Sequence, residues 1–309
     1  MALLEVEGLT VAFRRQAGLF RQRTMEVIHG LELTVDAGQV VAVVGSSGSG
    51  KSLLAHAIMG LLPDNAHCSG SIRYDGTLLD AARVSELRGK EIAIVPQSVT
   101  YLDPLIRVGK QVRHAASAGG GEGERLQKQV FARNGLAEET ARMYPHELSG
   151  GMARRVLAST AIISGAKLIV ADEPTPGLNE AAALETARQF RELADAGCAV
   201  LFITHDIQLA LSFADRIVVL YAGTVMENAA AADFAGDGER LRHPYTKALW
   251  QALPGNGFKP LGGSQPHPDM LPPGCLFAPR CCHASEDCTS QRPEFMPLRD
   301  GAVRCFHAS

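Results

Sequence analysis

Eight residues, Gly45-Ser46-Ser47-Gly48-Ser49-Gly50-Lys51-Ser52, constrain this chain more than any other stretch. They follow the apolar run Val40 to Val44 and precede Leu53 to Met59, whose composition predicts a helix. A strand, a glycine loop and a helix in that order form a phosphate cradle. Glycines accept backbone angles that turn successive N–H groups inward, and the helix adds the positive end of its dipole. Lys51 then supplies a point charge for the β- and γ-phosphates, and the Ser52 hydroxyl supplies a Mg²⁺ ligand. A plain glycine–serine turn does not need all eight positions. The loop reads as a nucleoside triphosphate site.

Further along the chain, polar residues close several apolar strands. Lys167 to Glu173 ends in Asp172 and Glu173, and Ala199 to Asp206 runs through His205. Ile92 to Val95 leads into Gln97. Open parallel sheets place ligands beyond the carboxyl ends of their strands, so these residues are expected to converge on the loop. Asp172 is the expected Mg²⁺ carboxylate and Glu173 the group that polarises the attacking water. His205 is placed beside the γ-phosphate, and Gln97 within reach of Mg²⁺. A second nest, Leu148-Ser149-Gly150-Gly151-Met152, combines a hydroxyl with glycine amides at a helix start. One chain needs a single cradle, so this nest suggests ATP held between two chains. Phe13 is a candidate for stacking on adenine, with a core position equally open and Phe20 a weaker competitor.

Composition limits the alternatives. The apolar fraction is 46% and no apolar run approaches the ~20 residues that span a bilayer. The first residues lack the basic and apolar regions of a secretion signal. A net charge of −3 argues against a surface that coats nucleic acid.

Taken in order, these motifs resemble the ATP-binding subunits of ABC transporters, from about Leu3 to Asn228. The resemblance implies an α/β, P-loop ABC-type ATPase core spanning 1–230, with an inserted helical subdomain at about 98–160. A small cysteine-bearing extension, 231–309, completes the chain. His243-Pro244-Tyr245-Thr246-Lys247-Ala248-Leu249 and Pro273 to Cys281 are similar to the oligopeptide/dipeptide/nickel importer group, as is Tyr144-Pro145-His146-Glu147. The group implies ATP and Mg²⁺ as ligands, and a head-to-tail dimer in which Ser149 and Gly151 face the partner's ATP. It further implies a second, homologous ATPase subunit, two membrane permease subunits and an extracytoplasmic substrate-binding protein, with this chain peripheral on the cytoplasmic face of the membrane. Gln97 and Ser98 to Val108 would meet the permease. Cargo stays open among peptides, nickel and a metal chelate. The competing readings are a soluble ABC ATPase acting on nucleic acid or ribosomes, and a weakly hydrolysing regulatory subunit. Two departures stand out: Asn179 where the family usually has aspartate, and Ser46 where it usually has glutamate.

Of seven cysteines, Cys275, Cys281, Cys282, Cys288 and Cys305 crowd the end of the chain. This segment has little core-forming periodicity, and a metal could supply stability that it otherwise lacks. Five residues separate Cys275 from Cys281 and six separate Cys281 from Cys288. Zinc sites usually carry closer pairs, whereas iron–sulfur clusters accept varied spacing. Cys275, Cys281, Cys288 and Cys305 are therefore expected to hold a [4Fe–4S] cluster, with Zn²⁺ as the alternative.

Overall fold

The structure, a computed structural model, describes residues 2–16, 22–116 and 120–308. Two sheets share the work. The first is antiparallel, in the order β2 (Gln22–Asp36), β1 (Ala2–Gln16), β4 (Ala66–Tyr74) and β5 (Thr77–Leu78). Phe20 lies outside the described residues.

The second sheet has a parallel heart. There β9 (Arg216–Tyr221), β3 (Val40–Gly45), β8 (Ala199–Thr204), β7 (Leu168–Asp172) and β6 (Ile92–Val95) lie side by side. Its strands are buried on both faces, which is why they read as continuous apolar runs. Successive side chains point to opposite faces. Val40, Ala42 and Val44 accordingly join one core cluster, and Val41 and Val43 join the other. The second cluster also holds Leu4, Leu9 and Leu31 of the antiparallel sheet, with Leu54 and Ile58 of α1 (Lys51–Ile58). The glycine loop is thus fixed between two packed sheets.

Between β6 and β7 the elements are helical: α3 (Val108–Ala115), α4 (Gly120–Arg133) and α5 (Gly150–Ile162), with short 3₁₀ turns. A short α2 (Ala81–Leu87) precedes β6. The glycine-rich stretch 118–123 reads in sequence as a loop tip, yet α4 begins at Gly120 and runs through Gly121 and Gly123. Salt bridges Glu122–Arg125 and Glu124–Lys128 along this helix offset the poor helix propensity of glycine. The first and last helices flanking β8 are α6 (Glu180–Asp195) and α7 (Ile207–Leu211).

The last eighty-odd residues are integrated into the fold. β10 (Thr224–Ala230) pairs with β9, β12 (Gly301–Val303) pairs with β10, and β11 (Met296–Leu298) forms the sheet edge. α8 (Pro244–Gln251) and α9 (Glu286–Ser290) flank irregular chain. Leu241, Tyr245, Leu276 and Phe277 are buried in the main core cluster. The Phe277 ring stands edge-on to Tyr221, with centroids 5.5 Å apart. The segment lacks periodicity because irregular chain buries its apolar residues one at a time against strands formed elsewhere. It does not lack a core.

A phosphate-binding site at the carboxyl ends of the parallel strands

A cavity of about 340 Å³ opens beside the glycine loop. Ser47, Gly48, Gly50, Lys51 and Ser52 line it, together with Gln97, Glu173, Leu53 and Val27. Gly48 and Gly50 have φ of 78° and 98°, a region that disfavours any side chain. Lys51 is buried and its Nζ donates to the Gly45 carbonyl at 2.8 Å and the Ser46 carbonyl at 3.2 Å. Burial lowers its pKa, and the charges of Glu173 and Asp172 oppose that shift. The lysine is thus poised over its own loop, against groups that a phosphate can replace.

The two residues expected to ligate Mg²⁺ are also brought together. The Ser52 hydroxyl donates to Asp172 Oδ1 at 3.2 Å. Burial raises the Asp172 pKa, the Ser52 hydrogen bond lowers it, and Glu173 raises it again. Mg²⁺ favours one or two protein oxygens, with water and substrate phosphates completing its octahedron. One hydroxyl and one desolvated carboxylate beside a phosphate cradle fit that demand.

Glu173 is almost fully buried and adopts φ of 48°, rare for a residue with a side chain. Such backbone strain persists where the surroundings over-determine it. Its N–H donates to Ile203 O at 2.9 Å, and its own carbonyl accepts from Arg154 at 3.2 Å. The same guanidinium nitrogen donates to Gln97 O at 3.3 Å. His205 Nδ1 lies 2.8 Å from Glu173 Oε2 and 3.0 Å from Oε1. The carboxylate and imidazole expected at two different strand ends therefore meet beside the cavity, which Glu173 lines and His205 does not, and Arg154 ties Glu173 to Gln97.

The second nest stands apart. Ser149 caps α5, its Oγ accepting from the Met152 N–H at 3.2 Å, and Ser149 and Gly150 are exposed. Ser149, Gly150 and Gly151 do not line the cavity beside their own chain's loop. Phe13 is half-buried against the core of the antiparallel sheet and does not line the cavity either. Asn179 caps α6, accepting from the Ala182 N–H at 2.9 Å. An aspartate would form the same cap, so this departure leaves the helix start intact.

The cysteine expectation needs correction in two respects. Its premise, a tail short of buried apolar surface, fails because that tail joins the main core. Among the described residues, no group of three or more His, Cys, Asp or Glu is arranged to hold a metal ion. The four thiols do share a neighbourhood. Burial raises the pKa of Cys281 and of Cys305, the latter to about 11, and the charges of Cys275 and Cys288 add to both shifts. Ser285 donates to Cys288 Sγ and the His307 N–H to Cys305 Sγ, so these two sulfurs already have partners within the chain.

Sequence reasoning missed three contributors. Val27 carries no signal of its own as a cavity residue. Arg154 stands within the recognisable Leu148 to Arg155 stretch, but its bonds reach across to Gln97 and Glu173. Gln265 bonds to Ser46 from 219 positions away.

The glycine loop, the Ser52–Asp172 pair and the Glu173–His205 pair on a parallel sheet have the arrangement expected of the ATP-binding cassette class of P-loop proteins. The solved structures agree. A dimeric ATP-binding cassette in a post-hydrolysis state, bound to ADP and phosphate, superposes with a TM-score of 0.64 at 25% identity. That match covers 74% of this chain and 98% of the other. Residues 28–176 match the family described as ABC transporter, and residues 226–288 match the oligopeptide/dipeptide transporter C-terminal region. The oligopeptide transport ATP-binding protein AppD of Bacillus subtilis is 33% identical, over 98% of this chain and 96% of its own length. The dipeptide transport ATP-binding protein DppD of Escherichia coli is 36% identical, over 99% and 97%. The oligopeptide transport ATP-binding protein OppD of Mycobacterium tuberculosis is 37% identical over 96% of this chain, which spans about half that relative's length. The chain belongs to the ABC transporter ATP-binding subunits of the oligopeptide/dipeptide group. Among the described residues, no helix is long and apolar enough to cross a membrane.

Proposed function

We propose that this chain hydrolyses ATP to drive uptake of peptides through a membrane permease, from a peripheral position on the cytoplasmic face. The observation that carries the reading is that Lys51, Ser52, Glu173 and Gln97 line one cavity, with Asp172 bonded to Ser52 and His205 to Glu173. In this reading the loop amides and Lys51 hold the phosphates, while Ser52 and Asp172 hold Mg²⁺. The ion, when bound, neutralises charge developing between the β- and γ-phosphates. Glu173 orients and polarises the attacking water, and His205 fixes the Glu173 carboxylate. Positioning and charge stabilisation supply the rate, with no covalent intermediate.

The exposed nest of Ser149, Gly150 and Gly151 supports a head-to-tail dimer with a second ATPase chain, each nest facing the other chain's ATP. A groove of about 670 Å³ beside α3 supports permease docking, since Leu105 on its rim is 84% exposed and Arg107 and Tyr144 line it. Closing the dimer on ATP and reopening it after hydrolysis would move the permease between its two states. The names of the relatives favour peptides as cargo over nickel or a metal chelate, delivered by a substrate-binding protein. Reconstitution with the co-purifying permease tests the whole reading. ATP-dependent peptide uptake is expected, and Lys51→Ala is expected to abolish it. Peptide-independent ATPase in the absence of any membrane partner would favour the soluble alternative.

The finer proposal for the extension is that Cys275, Cys281, Cys288 and Cys305 turn towards one another when iron and sulfide, or zinc, are supplied. The support for it is that Cys275, Cys288 and Cys305 are buried, Cys281 is half-buried, and none of the four is in a disulfide. Anaerobic purification with metal and sulfide analysis tests it, and a chain free of stoichiometric metal ends it.

A further inference from the structure

The carboxamide of Gln265 lies against the phosphate-binding loop. Its Oε1 accepts from the Ser46 hydroxyl at 2.7 Å and from the Ala222 N–H at 3.1 Å. Its Nε2 donates to the Gly48 carbonyl at 3.2 Å. The orientation of the amide follows from its partners. A backbone N–H can only donate and a carbonyl can only accept, so the oxygen must face Ala222 and the nitrogen must face Gly48.

The segment carrying Gln265 is itself anchored. Arg280 Nε donates to Gly262 O at 2.8 Å, its Nη2 to Leu261 O at 3.4 Å and its Nη1 to the Tyr221 hydroxyl at 3.2 Å. Tyr221 in turn packs on Tyr245, with ring centroids 4.6 Å apart. Next to Ala222, the Gly223 N–H donates to Ser49 O at 3.1 Å, so the β9–β10 turn braces the loop as well.

The consequence for phosphate binding lies in the peptide joining Gly48 to Ser49. A trans peptide sends its carbonyl and its N–H to opposite sides. Here the carbonyl is held by Gln265, and the Ser49 N–H points to Ser46 O, which also accepts from Lys51. Fixing the carbonyl outward thus keeps that N–H on the lysine side, where phosphate oxygens are received.

We infer that Gln265 is a positioning residue for the phosphate-binding loop, supplied by the C-terminal segment of the same chain, so that affinity for ATP depends on the docking of that segment. This rests on the ATPase reading of the cavity. It gives the segment a role in nucleotide binding that needs no metal.

The test uses the full chain for MgATP titration calorimetry and the assembled transporter for steady-state hydrolysis. Gln265→Ala is expected to raise Kd and KM for MgATP about five- to tenfold, the size of one or two hydrogen bonds, with kcat within about twofold. Gln265→Glu has the same shape, but it turns a carboxylate oxygen towards the Gly48 carbonyl and adds negative charge near the phosphates. It is expected to bind MgATP more weakly than the alanine variant, whereas a role in packing alone would leave it close to the native chain. Ser46→Ala removes the same bond from the loop side without touching the extension. It is expected to raise Kd, with little further rise when combined with Gln265→Ala. Native affinity in Gln265→Ala or in Gln265→Glu overturns the inference, and so does full additivity of the Ser46 and Gln265 changes. A Lys51→Ala chain that binds MgATP normally would overturn the site itself and this inference with it.

Discussion

Arg242 offers a direct measure of how firmly the C-terminal segment is held to the ATPase core. Its side chain is 2% exposed, and the carboxylates of Glu227 and Asp233 that face it are 0% and 10% exposed. Nη1 lies 3.3 Å from Glu227 Oε1 and 2.9 Å from Asp233 Oδ2, and Nε donates to Leu298 O at 2.9 Å. Glu227 also accepts the backbone N–H groups of Arg242 and His243, at 2.9 and 2.8 Å. Arg242→Met keeps most of the apolar stem and removes the guanidinium, leaving Glu227 with backbone N–H donors and Asp233 with the exposed Arg240 at 4.0 Å. It leaves two carboxylates desolvated, and breaking a buried pair in this way costs about 3–5 kcal/mol. At roughly 2–4 °C per kcal/mol, the melting temperature should fall by roughly 6–20 °C. Adding Glu227→Gln removes one stranded charge, although its single amide oxygen can accept only one of the two backbone N–H groups, so the double variant should regain about 1 kcal/mol. Urea denaturation of the full chain measures all three differences. A loss below about 1 kcal/mol in Arg242→Met, or costs that simply add in the double variant, would refute the reasoning.

Glu173→Gln keeps the shape beside His205 and loses the charge that polarises water. It should retain MgATP binding and slow single-turnover phosphate release by at least about 100-fold; native release would remove Glu173 from that role. His243 is fully buried, and burial pushes its pKa down from 6.5 to about 3. The unfolded chain therefore takes up the proton first. Stability from this group is complete above about pH 6.5 and declines by about 1.4 kcal/mol per pH unit as pH falls towards 3. Urea midpoints of His243→Asn between pH 7 and 4.5 should fall less steeply than those of the native chain. Leu105→Asp, on the rim of the helical groove, should impair peptide uptake in the reconstituted complex while leaving the Kd for MgATP unchanged. Equal loss of both would place the residue in the fold and not at the permease.

The candidate ATP site is legible as a cluster because its signals are local. A glycine loop after a buried strand needs only adjacent residues, and Asp172, Glu173 and His205 each announce a strand end in their own sequence. The bonds that set the site are another matter. Nothing near Glu173 signals its φ of 48°, which depends on Ile203 O and Arg154. The C-terminal segment was misjudged for the same physical reason. Leu276 and Phe277 lie in irregular chain and show no period, yet both are buried, Phe277 against Tyr221 and Tyr245. Periodicity reports a regular element facing one core, whereas an irregular segment can be buried residue by residue. Ser46 illustrates the limit. In sequence it is a departure from the family's usual glutamate within a loop that binds through its amides, and so of little consequence. In the structure its hydroxyl donates to a glutamine oxygen that a glutamate at the same position would repel. The substitution thus suits a loop held by Gln265, and the pair is expected to act as one unit.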